Sequence, residues 1–411
     1  MDDKGSINRL QDDEIILIMS LLNTNDAVAM SFALLKRWPL WERVSKLVFD
    51  DRESLLKLLV DGHLRSHNSE NPDHERFSRF VDGALRLNKA PVLESFDLSV
   101  GPSSGAEDIQ RWVLAAIHRS VHEMRIYRHD FESTIDLPGH IFTCKTLVVL
   151  KLVNGICLDV PCTIHLPSLK TLHLSYILFT DEESFSNLVS CSPVLEDLDV
   201  DTPDIFLTTI TIRVPSLKKL RIVTFNRIEC WVLYVPEVVE AHVGVLRIYL
   251  ENFLAALSSV KRLSWELISD PDLVVLYPTG RFLNQLVHLK LQLDMAYSSE
   301  ILMSFLEHSP GLQSLEIVQC AAGYSPEKEL FSEPGKVPES LLFGLETIVW
   351  KKYRGIGAEI AVASYILEHA GRLKTATFDT SAYGEWLQKK MIEGLQRLPR
   401  GSPLCELKVI R

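Results

Sequence analysis

His118 and His122, in HRSVHE (118–123), come nearest in this chain to a metal-hydrolase motif. Residues at i and i+4 share one helix face, so two such imidazoles could meet one ion. A zinc hydrolase of that kind places its general base between the histidines, as HExxH, whereas here the glutamate is Glu123, after the second. These histidines therefore read as structural or surface groups, and no metal is expected. GPSSGAED (101–108) opens into a helix and could hold an anion, but no cation follows before Arg111, so it reads as a connector. There is no P-loop and no GxSxG elbow. Cys144, Cys157, Cys162, Cys191, Cys230, Cys320 and Cys405 are odd in number and form no CxxC pair, which fits reduced, mostly buried thiols. No catalytic residue and no cofactor are expected, and the chain does not read as an enzyme.

The other groups that could do chemistry are charges at regular intervals, and a repeat positions them. LPSLKTLHL carries Leu169, Leu172 and Leu174, an apolar-x-x-apolar-x-apolar spacing. It recurs from Leu147, Leu195, Leu217, Val238, Val260, Leu286 and Leu312, with weaker copies from Leu93 and Val121. From Leu147 to Leu312 the starts lie 22, 26, 22, 21, 22, 26 and 26 residues apart by subtraction. That is the period of leucine-rich repeats, roughly 20–29 residues. Alternation at the last two apolar positions predicts strands with one face inward, which bury that face only when stacked. Prolines 193, 215, 236 and 310 stand ahead of the strands, where no ladder donor is needed. Residues 181–193, 251–260 and 298–310 have helical spacing between strands, with Asp181 as an N-cap. The expected fold is α/β: an irregular leucine-rich-repeat solenoid, parallel sheet on its concave side and helices on its convex side.

Side chains between the inward positions would face out from the concave sheet. The candidates for target contact are His173, Asp197, Asp199, Lys219, Arg221, His242, Arg262 and Lys290. An acidic rung is followed by a basic one. Two readings stay open, a ladder of weak cross-strand ion pairs or a bipolar docking surface for a protein.

Composition narrows the partners. At 411 residues the chain exceeds one ordinary core and suggests several domains or a repeat array. A formal charge of −11 argues against binding nucleic acid backbones. No run of about 18 apolar residues implies a membrane span. With no secretory signal and no Asn-x-Ser/Thr sequon, a cytoplasmic or nuclear location is expected.

Residues 10–38 read as two helices. Asp12, Asp13 and Glu14 favour a helix start. Ile15, Ile18, Met19 and Leu22 form one apolar stripe, while Ile16, Leu17 and Leu21 widen it beyond what one neighbour would cover. Thr24 or Asn25 would cap the second helix, and Pro39 should stop it at Trp38. So short a unit needs the first repeat or a partner chain to bury its apolar side chains.

This stretch resembles a plant F-box: Leu10, Asp12, Asp13, the apolar helix, Ser20-Leu21-Leu22, Thr24, Asp26-Ala27-Val28, Ser31, Lys36-Arg37-Trp38 and Leu40-Trp41. The C-terminal stretch is similar to the FBD segment of plant F-box/leucine-rich-repeat proteins, through Pro338, Leu345-Glu346, Trp350, Tyr353-Arg354-Gly355, Ile366-Leu367, Leu373-Lys374 and Leu398-Pro399-Arg400-Gly401-Ser402. The resemblance implies an F-box unit (1–45), a repeat solenoid (46–330) and FBD-like repeats capping it (331–411). It further implies a non-catalytic ligase subunit that binds a Skp-type adaptor, and through it a cullin, while its repeats recruit a protein substrate for ubiquitination. Leu10, Ile15, Ile18, Leu22, Val28 and Trp38 are then candidates for the adaptor-facing surface or its immediate support. Gln11 and Asn23 stand where the family usually has proline, and the spacing around Trp38 is shifted by one residue. The alternative is a protein-binding repeat scaffold whose degenerate F-box no longer recruits the ligase. On either reading KRWPLW (36–41) is the hinge, with Leu40 and Trp41 packed by the first strand near Val44, Leu47 and Phe49.

Overall fold

The computed structural model describes residues 10–34, 39–51, 72–101, 104–129, 133–201, 209–224, 230–246, 254, 256–268, 283–293, 295–320 and 331–411. They fall into two compact units, Met1–Leu207 and Thr208–Arg411.

The first unit opens with α1 (Asp12–Met19) and α2 (Thr24–Ala33). The Gln11 backbone N–H donates to Glu14 Oε2 at 2.8 Å, satisfying a donor at the start of α1. The cap of α2 is Asn23, whose Oδ1 accepts from the Asp26 N–H at 2.8 Å, rather than Thr24 or Asn25. Thr24 is drawn elsewhere: its hydroxyl accepts from the Val48 N–H at 2.9 Å. The second helix ends at Ala33, short of Trp38, which with residues 35–37 lies outside the described residues. A 3-10 turn, Leu40–Arg43, packs against both helices and buries Leu40 and Trp41. The Trp41 N–H donates to the Ser31 hydroxyl at 3.3 Å, and Asn88 Nδ2 donates to the Trp41 and Val44 carbonyls. The expected joint near Val44, Leu47 and Phe49 is present, and all three are buried.

The sheet of this unit runs β1 (Lys46–Asp50), β2 (Ser95–Val100), β3 (Glu123–Arg128), β5 (Val149–Leu158), β6 (Thr171–Phe179) and β7 (Asp197–Asp201), with β4 (Ile135–Asp136) paired to the far end of β5. Every pairing is parallel. The returns are α3 (Pro72–Leu87), α4 (Ala106–Ile117) and α5 (Glu182–Ser190). The Asp181 carboxylate accepts from the Ser184 N–H at 2.7 Å and so caps α5, as its sequence predicts. His118 is the C-cap of α4 and His122 lies in a bend just ahead of β3, so the two share no helix face. Among the described residues no group of three His, Cys, Asp or Glu side chains could hold a metal ion, and no helix is long and apolar enough to cross a membrane.

The second unit repeats the plan. Its sheet runs β9 (Lys219–Val223), β11 (Glu240–Leu246), β12 (Arg262–Ile268), β13 (His288–Leu293), β14 (Ser314–Gln319), β15 (Thr347–Lys351), β16 (Thr375–Asp379) and β17 (Glu406–Ile410). β8 (Thr209–Arg213) and β10 (Cys230–Tyr234) pair apart from it. Its returns include α6 (Met295–His308), α7 (Gly357–His369) and α8 (Glu385–Gln396). Of the helix expected over 251–260, residues 254 and 256 are helical and 257–259 form a turn, while 251–253 and 255 lie outside the described residues.

Register explains the core. Leu220, Ala241, Leu263, Leu289, Leu315 and Ile348 are partners across successive strands, and all are buried. Full burial of one such aliphatic side chain contributes about 1.5–3 kcal/mol. Helical residues meet this apolar side: Phe80 of α3 lies 6.0 Å from Phe49, and Phe305 of α6 lies 5.8 Å from Trp265. The opposite side of each sheet carries the polar residues, half-buried or exposed.

Candidate docking surfaces

Of the six residues expected at or beneath an adaptor-facing surface, Ile15 is fully buried within the chain, while Leu10, Ile18, Leu22 and Val28 are half-buried. Trp38 lies outside the described residues. The large apolar side chains left to solvent are others: Leu17 and Leu21 are 65% and 78% exposed, and Phe32 of α2 is 57% exposed. Leu17 lies on the side of α1 away from Ile15 and Met19, and Leu21 follows in the turn beyond the helix. The extra width of the ILIMSLL stripe was the sequence signal for this second apolar side. Phe32 carried none.

The eight residues expected to face out from the sheet all lie on polar sides of strands. His173, Asp197 and Asp199 belong to the first unit, and Lys219, Arg221, His242, Arg262 and Lys290 to the second. His173 and Asp199 are register partners and meet at 3.4 Å. Nearby, Arg125 reaches Glu123 at 2.6 Å and Asp97 at 3.3 Å. Burial pushes the Asp97 carboxyl above the usual range, and Arg125 pulls against it. Burial likewise raises the Tyr127 hydroxyl. These two line a cleft of about 300 Å³ with Asp50, Ser99 and His129. Ser99 Oγ and His129 Nε2 are hydrogen-bonded there at 2.8 Å.

In the second unit a larger cleft, of about 420 Å³, lies across β11 to β14. Glu240, His242, Arg262, His288, Lys290 and Glu316 surround it, with Ser264 and Ser314 between them. It gathers three of the expected contacts, His242, Arg262 and Lys290. Their pairings are long: Arg262–Glu240 and His242–Glu266 at 4.0 Å, Lys290–Glu316 at 3.8 Å. Glu316 has a closer partner that the spacing did not suggest, Lys351 at 2.9 Å. The pairs of Arg262 and Lys290 are long and exposed, and such pairs contribute little.

The C-terminal repeats carry a different device. Glu359 on α7 is fully buried and accepts from Arg354 N and Nε, both at 2.7 Å, and from Gly355 N at 3.0 Å. Gly355 has a φ of +66°, which side chains rarely adopt. Beneath this latch Trp350, Tyr353 and Phe378 form an aromatic cluster with centroids 5.1–6.0 Å apart. Tyr353, Arg354 and Gly355 are one of the motifs quoted from the sequence, and here the motif is structural.

Two family models match stretches of this chain. The family model described as FBD matches residues 333–378. The one described as FBD-associated F-box protein At5g56370, LRR repeats, matches residues 109–244. Similar relatives from Arabidopsis thaliana include FBD-associated F-box protein At5g56370, 37% identical over 98% of this chain and 99% of its own length. F-box/FBD/LRR-repeat protein At5g56420 is 34% identical over 98% of each chain. F-box/FBD/LRR-repeat protein At4g26340 is 33% identical over 98% of this chain and 99% of its own length.

Proposed function

This chain belongs to the family of F-box/FBD/leucine-rich-repeat proteins, and from that premise we propose that it is the substrate-recruiting, non-catalytic subunit of a Skp-cullin-type ubiquitin ligase, at work in the cytoplasm or nucleus. On this reading residues 1–45 dock on the adaptor, the repeats of 46–330 hold a protein target on their polar sheet side, and 331–411 cap the array. One observation carries it. Helix α1 buries Ile15 and Met19 fully within the chain, while Leu17 on its other side and Leu21 in the turn that follows are largely exposed. An exposed side of that kind on a short helical unit is a surface made for another protein. The residues that depart from the family pattern keep the helices intact, since Gln11 supplies a donor to Glu14 and Asn23 caps α2.

The test is co-expression of the tagged full-length chain with a Skp-type adaptor, beside a chain lacking residues 1–45. Capture by the first and not the second is expected. No capture by the full chain, under conditions where a standard F-box captures the adaptor, sinks the proposal. Target abundance then separates ligase subunit from scaffold, because a scaffold would bind its target and leave its lifetime unchanged.

A further inference from the structure

We propose that β17 is a pairing edge, and that two copies of this chain join there as an antiparallel, two-fold symmetric strand pair. Among the described residues β17 has β16 as its only strand partner. The Glu406 N–H donates to the Lys374 carbonyl and the Ile410 carbonyl accepts from the Thr380 N–H, both at 2.9 Å. Glu406 and Ile410, with Lys408 between them, therefore direct their backbone groups to β16. By the alternation of a strand, the N–H and carbonyl groups of Leu407 and Val409 point the other way. The first unit covers its own edge, since the Val48 N–H of β1, on the side away from β2, donates to the Thr24 hydroxyl at 2.9 Å. β17 has no such cover. Leu407 and Val409 are half-buried and Glu406, Lys408 and Ile410 are exposed, whereas Ala376 and Phe378, the register partners of Leu407 and Val409 on β16, are fully buried. An open edge of this kind is a template for another strand.

The sequence of the strand, ELKVI, selects its occupant. Antiparallel self-pairing must bring edge-pointing residues opposite one another, which leaves registers centred on Glu406, Leu407 or Lys408. The first sets two glutamates face to face and the last two lysines, and like charges directly opposite are unfavourable. Centring on Leu407 sets Glu406 against the partner's Lys408, and Lys408 against the partner's Glu406. These are the positions between the backbone bonds, where opposed side chains come closest. The same register sets Leu407 against the partner's Leu407 and Cys405 against the partner's Val409. It also brings Leu404, in the turn ahead of the strand and 80% exposed, towards the partner's Ile410, itself 49% exposed here. Apolar side chains thus meet apolar ones and each charge meets its opposite. Within one strand Glu406 and Lys408 lie 3.1 Å apart, an exposed pair that is weak and readily shared with a second copy. Opposed residues point to the same face, so the polar sides of the two C-terminal sheets become continuous.

The test is sedimentation velocity of the full-length chain from about 1 to 100 μM, a range suited to a dimer joined through one small interface. Wild type should pass from monomer to dimer across it. Lys408→Glu and Glu406→Lys should each weaken the dimer roughly tenfold or more, because the facing pairs become like-charged. Mixed in equal amounts, the two variants should pair again, since an all-acidic strand then faces an all-basic one. Hydrogen exchange gives a reading that needs no variant. The Leu407 and Val409 amides should exchange more slowly as wild-type concentration rises, while the Lys408 amide, directed at β16, stays unchanged. A wild type that is monomeric throughout, single reversals that dimerise like wild type, a mixture no tighter than its components, or Leu407 and Val409 amides indifferent to concentration would each overturn the proposal. Adaptor capture enters none of these readings, so their failure leaves the function proposed above standing.

Discussion

Leu17 and Leu21 offer the sharpest test of the proposed adaptor surface. They are 65% and 78% exposed, so their replacement should leave the fold nearly untouched. Covering a leucine completely contributes about 1.5–3 kcal/mol. Scaled by the exposure of the two side chains, their burial against an adaptor would supply about 3 kcal/mol, roughly a hundredfold in Kd. Leu17→Asp with Leu21→Asp should lose at least that much, because a carboxylate would also have to enter the interface. The assay is titration calorimetry of purified full-length chain with a Skp-type adaptor, beside a thermal melt of each variant. Ile15→Asp is the contrast, since Ile15 is fully buried and its variant should lose adaptor binding and lower the melt of the N-terminal unit together. An adaptor Kd within twofold of wild type for the double leucine variant would refute the assignment of this side as the docking surface.

Other outcomes follow from the packing. Glu359→Ala should destabilise the second unit by about 3–5 kcal/mol in urea unfolding, because Arg354 and two backbone N–H groups lose a buried acceptor, and Glu359→Gln should cost less. Equal effects of the two would remove the charge from the explanation. Gly401→Ala should cost about 1–3 kcal/mol, read as a lower melting temperature, since its Cβ would land on the Glu368 carbonyl. An unchanged melt would contradict that geometry. Asp97 gives a pH signature. Its folded pKa lies above the ordinary 3.8, so its contribution is complete below that value and is lost as pH rises through the folded pKa. Wild type should therefore gain on Asp97→Asn as urea midpoints are followed downward through that window, and a gain in the upward direction would show the sign to be wrong.

What could be read from the residues was whatever repeats. Leu172 and Leu174 alternate, recur at the repeat period and lie inward, so strand register and the outward set from His173 to Lys290 came with them. Elements that do not repeat escaped. Helix α3 has no counterpart in the apolar triplets, and β8 with β10 lies off the main run. Pairing along the rungs escaped for another reason: spacing sets which strands are neighbours, whereas the reach of a lysine decides that Lys351 holds Glu316 more closely than Lys290 does. The same limit applies at the N-terminus. Judged by residue type alone, Gln11 and Asn23 look like decay, because proline is the usual residue at both positions. Judged by hydrogen bonds they are substitutions of one device for another. Proline pre-sets φ at a helix start but gives no N–H. Gln11 uses its N–H to engage Glu14, and Asn23 accepts from Asp26 through its side chain. Both helices start normally without the prolines, so these two departures give no reason for the N-terminal unit to have lost its partner. Any loss would have to come from elsewhere in the unit, from the shifted spacing around Trp38 or from the exposed side chains, where Leu17 and Leu21 remain apolar.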